Sequence, residues 1–243
     1  MMDAYTHLDM SSPDPISDFQ FRMKSARIDR ALAVETWKGD NYTSLEHLID
    51  SPLPHFRVAL CFRAEENSPS PELLARDVVV ALRVKTADLP RLGETALQLE
   101  SQGKWLLVHA ERGVAALVNE LALIVSCHQR LRVYVPHLAW PRQASADDDD
   151  WVDSVAELSR ISGVVVGISA IAHFSRKPFP HGDVATFASQ LLQTFSPDSI
   201  AVGSNFPLFE KSLYAEYMEL ASGWVRKSNP GWSASLEASC FAS

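Results

Sequence analysis

Three histidines, His7, His109 and His137, each stand at or just beyond the end of a short apolar run in this 243-residue chain. Imidazole is a ligand for zinc and related ions, and three protein ligands plus a water make a catalytic zinc site. A neutral imidazole also serves as a general base near neutral pH. A basic set, Arg63, Arg83, Lys85 and Arg176, offers a different chemistry. Guanidinium forks and an ammonium suit a carboxylate. The same cations could instead pair with Glu35, Glu65 or Glu111. Serine nucleophile chemistry finds less support, because Gly203-Ser204-Asn205-Phe206 lacks the second glycine of a nucleophile elbow. Cys61 lies inside an apolar run and reads as a buried, inert thiol. His47, His55 and His128 fall on helices or their flanks and read as surface residues.

The elements that must position these groups alternate along the chain. Short runs that are apolar on both faces suit strands buried between a core and covering helices. They are expected over Met2–Tyr5, Ala31–Thr36, Phe56–Phe62, Val78–Val84, Trp105–His109, Leu131–Val135, Val164–Ser169 and Ile200–Val202. Between them, helical periodicity predicts helices over Leu89–Ser101, Val114–His128, Trp151–Ile161, Val184–Phe195 and Leu213–Arg226. Ser70-Pro71 reads as a helix start, and Gly103 and Gly163 as stops before strands five and seven. Asp147 to Asp150 read as a solvated acidic loop ahead of the Trp151 helix.

Strands that alternate with helices pair in parallel, because each return crosses over a helix. Tyr5-Thr6-His7-Leu8-Asp9 holds no glycine, so the phosphate-cradling turn of an open nucleotide-binding sheet is absent. Eight strands favour a single-domain (β/α)8 TIM barrel over residues 1–227, with 228–243 as a loose C-terminal extension. In such a barrel the site lies at the carboxyl ends of the strands. Those ends carry, in order, Tyr5, His7 and Asp9; Glu35, Trp37 and Lys38; Arg63; Arg83 and Lys85; His109 and Glu111; His137; Ser169, His173 and Arg176; and Ser204 and Asn205. Trp37, Trp140 and Phe206 are candidates to line the pocket.

A formal net charge of −8 gives no attraction to phosphate backbones, so no nucleic-acid partner is expected. Three cysteines without a CxxC pair fit a reducing compartment rather than a disulfide framework. No leader pattern opens the chain and no run of about 18 apolar residues occurs, so the expectation is a cytoplasmic protein with no membrane partner.

At the strand ends the sequence resembles the amidohydrolase superfamily, and within it the amidohydrolase-2 group of decarboxylases and lactone hydrolases. Asp3-Ala4-Tyr5-Thr6-His7 resembles the opening Asp-Ala-His-x-His. Val108-His109-Ala110-Glu111 is similar to the fifth-strand histidine segment. Pro136-His137-Leu138-Ala139-Trp140-Pro141 resembles Asp-His-x-Gly-x-Pro. Gly167-Ile168-Ser169-Ala170 resembles Lys-x-Ser-Gly, and Gly203-Ser204-Asn205-Phe206-Pro207 resembles Gly-Ser-Asp-[Trp/Phe]-Pro.

The resemblance implies a barrel whose metal ligands are degenerate. Tyr5 stands for a ligating histidine, and Asn205 for an aspartate that ligates and takes a proton from water. Asn has no basic group near pH 7. What remains implied is one divalent metal, zinc first, on His7, His109 and His137, or no metal at all. The expected function is hydrolysis of a small carboxylated lactone or amide. His109, His137 and Asn205 would stand at the reaction, and Tyr5, Arg83, Lys85, Ser169 and Arg176 would bind substrate. The alternative is a non-catalytic barrel of the same descent that binds a ligand or partner, with decarboxylation as a further chemistry. Monomer and homodimer are both compatible with the sequence.

Overall fold

In a computed structural model, the structure describes residues 1–40, 42–64, 69–141, 149–232 and 235–241. Glu65 and Asp147, named above, lie outside the described residues, as does Asp148. Eight strands form one sheet: β1 Met2–Thr6, β2 Arg30–Val34, β3 Phe56–Cys61, β4 Val79–Lys85, β5 Trp105–His109, β6 Arg132–Val135, β7 Val164–Ile168 and β8 Ile200–Val202. They lie in sequence order, and every neighbouring pair is parallel. The helices are α1 Pro15–Ser25, α2 Tyr42–Asp50, α3 Pro71–Leu74, α4 Glu94–Ser101, α5 Val114–Cys127, α6 Asp149–Leu158, α7 Ile171–Phe174, α8 Ala185–Thr194, α9 Tyr214–Ser228 and α10 Ser235–Cys240. This is a single-domain (β/α)8 barrel. No helix among the described residues is long and apolar enough to cross a membrane.

The strand pattern divides the core in two. Successive side chains of a strand point to opposite faces. Thus Leu32 and Val34 of β2 join an inner cluster with Ala59, Ala81, Leu107, Tyr134 and Ala201. Ala31 and Ala33 join an outer cluster packed beneath the helices. Small residues at inner positions leave room for Tyr5 and Tyr134, both fully buried. Two glycines accommodate these rings. A Cβ on Gly203 would sit 2.8 Å from the Tyr5 main-chain nitrogen, and one on Gly167 would sit 2.4 Å from the Tyr134 hydroxyl oxygen.

The last strand returns to the first. Asn205 N donates to Tyr5 O at 2.8 Å, and His7 N to Phe206 O at 2.7 Å. Buried Asp3 ties the same seam. It accepts from Ser204 N at 2.8 Å, Ser204 Oγ at 2.6 Å, Tyr214 Oη at 3.1 Å and Tyr5 N at 3.2 Å.

Four details differ from the sequence reading, the first being that Asp149 and Asp150, expected in a loop, open α6. The helix expected over Leu89–Ser101 is a 3-10 turn at Thr86–Arg91 followed by α4, because Pro90 lacks an amide proton and Gly93 takes a φ of 46°. Ser70 does cap, its Oγ accepting from Leu73 N at 3.2 Å, but α3 spans only four residues. The tail after Ser228 folds back under the amino ends of the strands. There Leu236 and Cys240 of α10 join the inner cluster, Trp105 Nε1 donates to Ser239 Oγ at 2.9 Å, and Arg57 Nε donates to Cys240 O at 3.0 Å.

A plug of this kind carries stability. Leu236 is fully buried, so Leu236→Ala is expected to lower unfolding free energy by about 2–4 kcal/mol in urea denaturation. A loose tail would leave the midpoint unchanged.

Candidate active site

The carboxyl ends of the strands bring one cation to the centre of an aromatic cluster. Arg83, on β4, is buried, with its Cζ 4.0 Å from the ring centre of Trp37 and 5.5 Å from that of Tyr5. Its NH1 donates to the main-chain oxygen of Glu35 at 2.8 Å. The three histidines lie close enough to feel its charge. The His7 ring lies 5.3 Å from Tyr5, and that of His137 lies 4.3 Å from Tyr5. His109 lies 5.9 Å from His137, 5.7 Å from Trp37 and 4.4 Å from Trp140.

Local structure explains how these rings are held. His7 Nδ1 donates to the Val34 carbonyl at 2.6 Å, which fixes the proton on Nδ1. The Ser169 hydroxyl accepts the main-chain N–H of His137 at 2.9 Å and shares a second 2.9 Å hydrogen bond with His137 Nδ1. After β6 the chain makes a left-handed turn: His137, Leu138, Ala139 and Trp140 have φ of 60°, 55°, 53° and 56°. Such backbone costs about 1–2 kcal/mol per residue outside glycine. The turn persists because its interior is fully packed, with Leu138 and Ala139 buried. The resembled motif carries glycine where Ala139 stands, and likewise at Ala170, whose φ is 56°.

Burial and the neighbouring guanidinium set the charge states. Desolvation, reinforced by Arg83, lowers His7 and His109 to about 3, and burial holds His137 well below its ordinary value. All three are neutral imidazoles at pH 7. Burial raises Tyr5 above the normal phenol range, against the pull of Arg83. The Cys61 thiol is pushed up to about 12 by burial, consistent with the inert role read from the sequence.

These residues do not fit a divalent ion. Two imidazoles, His7 and His137, have Nδ1 engaged, an arrangement that leaves Nε2 for a ligand. Convergence and charge are lacking. Among the described residues no group of three or more His, Cys, Asp or Glu is placed to hold a metal. Tyr5 and Asn205 bring no negative charge, and the Arg83 guanidinium, whose charge bears on all three imidazoles, opposes a second cation among them. The expected set of His7, His109 and His137 thus shares one mouth without forming a ligand cluster.

Other expected residues divide clearly. Arg63 pairs with Glu35 Oε1 at 2.5 Å, while Glu35 Oε2 accepts from Cys61 N at 2.6 Å. Glu111 accepts from Thr86 N at 3.0 Å and Ala87 N at 3.3 Å, capping the turn after β4 instead of pairing with a cation. Lys85 is exposed at the rim, its Nζ 5.1 Å from the Trp37 ring centre. There it lines a cleft of about 310 Å³ with Trp37, Phe62, Arg63, Asp88 and Arg91. Arg176 is exposed on the loop after α7, where its main-chain N–H donates to Asp183. Asn205 is buried with a φ of 61°, a left-handed position that asparagine tolerates. Trp37 and Trp140 do line the mouth, whereas Phe206 is a core residue packed on Phe19 and Tyr214. Sequence reasoning missed Asp3 as the seam's acceptor. Its only signal was an acidic residue inside an otherwise apolar strand.

Comparison with known proteins places this geometry. The amidohydrolase family model matches residues 86–220. No curated protein matches the chain. A Pseudomonas putida protein assigned as a 2-pyrone-4,6-dicarboxylic acid hydrolase is similar in structure, at 15% identity and TM-score 0.74, over 99% of this chain and 97% of that one. A similarly assigned Acinetobacter baumannii protein with citric acid bound gives 14% and 0.76, over 100% and 99%. A Burkholderia multivorans amidohydrolase with bound zinc gives 14% and 0.68, over 99% and 98%. At these identities the likeness concerns the fold.

The charge states predict an acid-sensitive molecule. Unfolding restores three imidazoles to about 6.5, so the unfolded chain binds three more protons there as pH falls. Asp3 opposes this with one proton, because burial raises its folded value to about 6 from 3.8. The net of about two protons means that stability falls by roughly 2–3 kcal/mol per unit as pH drops from about 6 to 4. Urea midpoints measured across that range check the slope, and a flat profile would contradict the buried, neutral imidazoles.

Proposed function

Because the chain belongs to the amidohydrolase family, we propose that it hydrolyses a small carboxylated lactone or amide at the barrel mouth, without drawing on a metal. The observation that carries this reading is the buried Arg83 guanidinium, which no carboxylate pairs among the described residues, beside three neutral imidazoles. A guanidinium can seat a carboxylate or stabilise the oxyanion of a tetrahedral intermediate, and in a water-poor site that stabilisation is strong. Lactones are activated esters, so water needs only modest help to attack. His109, half-buried and with an Nδ1 that has no hydrogen-bond partner among the described residues, is the group to orient that water. A value near 3 makes it a weak base in the free protein, and a carboxylate bound beside Arg83 would offset part of that depression. His137, locked by Ser169, would act as a fixed neutral hydrogen-bonding group. Lys85 at the rim would draw anions inward. Two structural neighbours are assigned to hydrolysis of a dicarboxylic acid, which supports the carboxylate requirement.

A second reading is a non-catalytic barrel that binds the same kind of anion. Tyr5 and Asn205 favour it, since neither can take a proton from water at pH 7.

Hydrolysis of five- and six-membered lactones, with and without a ring carboxylate, separates the two. The expected outcome is turnover of the carboxylated compounds only, reduced about 100-fold or more in His109→Ala with unchanged circular dichroism. Binding without turnover across the series would sink the hydrolase and leave the second reading.

A further inference from the structure

The floor of the barrel, at the amino ends of the strands, collects cations that the mouth does not use. Arg30 opens β2, Arg57 lies on β3, Lys104 stands just before β5 and Arg132 opens β6. The tail packs among them. The Phe241 ring centre lies 5.0 Å from Arg30 Cζ and 4.5 Å from Arg57 Cζ, and Arg132 Cζ lies 5.0 Å from the ring centre of Trp105. Acidic residues outnumber Lys and Arg by 30 to 22 in this chain, so carboxylates are plentiful. Arg30 has one, Glu237 at 3.9 Å. Among the described residues Arg57, Lys104 and Arg132 form no ion pair.

What these cations touch instead leaves donors over. Lys104 Nζ donates to Arg76 O at 2.8 Å and Val79 O at 2.5 Å, and an ammonium has a further N–H to give. Arg57 donates from Nε to Cys240 O at 3.0 Å and from NH1 to Phe56 O at 2.9 Å, which leaves the rest of its fork. Half-buried charges held by main-chain oxygens alone are under-compensated. Burial accordingly draws Lys104 down to about 8, against the pull of Asp77, and lowers Arg132 as well.

Arg57 and Lys104 line one cleft of about 450 Å³ with Val79, Trp105 and Ser239, and Asp77 is the one acid on its described wall. Arg132 adds charge from behind Gly103, where a Cβ would sit 3.2 Å from Arg132 NH2. A guanidinium fork and an ammonium point charge from different strands suit a multiply charged anion with several acceptor oxygens on one centre. Phosphate has that form, whereas a carboxylate is satisfied by a single fork. The valine wall and the volume leave room for an organic group beside it.

We infer that this floor cleft is a second ligand site, for a small molecule bearing a phosphate group, which takes the spare N–H groups of Arg57 and Lys104. Because Arg57 also holds the Cys240 carbonyl, an occupant would tie the tail to the barrel. The site lies at the opposite end from Arg83 and stands whether or not the mouth hydrolyses anything.

Titration of the full chain with inorganic phosphate, and separately with malonate as a carboxylate of similar charge, tests this. Calorimetry gives the affinity, and the indole N–H signals in a nitrogen-15 spectrum give the place. The Trp105 signal is assigned by its loss in Trp105→Phe. The expected result is one phosphate per chain with a Kd of about 1 mM or tighter, movement of the Trp105 signal with those of Trp37 and Trp140 unmoved, and little response of Trp105 to malonate. Lys104→Met should weaken phosphate about tenfold. If that variant fails to fold, the Trp105 signal in the unaltered chain decides. A Trp105 signal unmoved by phosphate, or moved equally by malonate, would overturn the inference, as would phosphate affinity unchanged in folded Lys104→Met.

Discussion

A guanidinium held out of water against an indole sets the electrostatics of this barrel's mouth. Arg83 cannot lose its proton, so its charge is permanent wherever the fold puts it. The fold puts it among aromatic rings and imidazoles, with the Glu35 carbonyl and the Trp37 face as its compensations. Several titratable groups around it respond. Imidazoles already depressed by burial are depressed further, and the Tyr5 hydroxyl and Cys61 thiol are drawn back from still higher values. A positive centre of this kind suits developing negative charge on a substrate oxygen.

The scaffold beneath exists to keep that centre in place. β4 carries Arg83 between β3 and β5, where pairing with Cys61 and Leu107 fixes its direction. Tyr5 reaches the same point because Gly203 leaves no Cβ against its main chain. Asp3 secures the seam with four donors from β1, the segment after β8 and α9. The left-handed turn at His137–Trp140 aims an imidazole and an indole into the mouth and is itself held by Ser169 and by burial. At the opposite end α10 closes the barrel floor.

Much of this was legible along the chain. Eight short apolar runs give eight strands because burial on both faces leaves no polar positions to confuse the period. Strand ends then name Tyr5, His7, Arg83, His109 and His137 as neighbours, and the structure gathers them. The helix over Leu89–Ser101 was misread because apolar spacing continues through Pro90 and Gly93, whose backbone chemistry breaks it. The tail was misread because six helical residues carry little periodicity, and Leu236 gains meaning only against Trp105 and Tyr134. Asp3 and Ser204 are 201 residues apart, a contact no local pattern encodes. Whether the histidines converge on an ion or on a guanidinium was equally hidden. It depends on which of two cations on the same face of β4 lies deeper: Arg83 is buried, and Lys85, two residues on, remains at the rim.

The family relation and the site therefore agree on architecture and diverge on charge. The chain keeps the strand-end histidines of the motifs it resembles, with neutral residues at Tyr5 and Asn205 and alanines in left-handed backbone at positions 139 and 170. The most direct test is the initial rate on a carboxylated lactone after exhaustive chelation, with and without added zinc. Activity unchanged within about twofold by either treatment is the result predicted by the proposal that Arg83 supplies the working charge. Activity lost on chelation and restored by zinc would contradict it, and would return the three histidines to a metal.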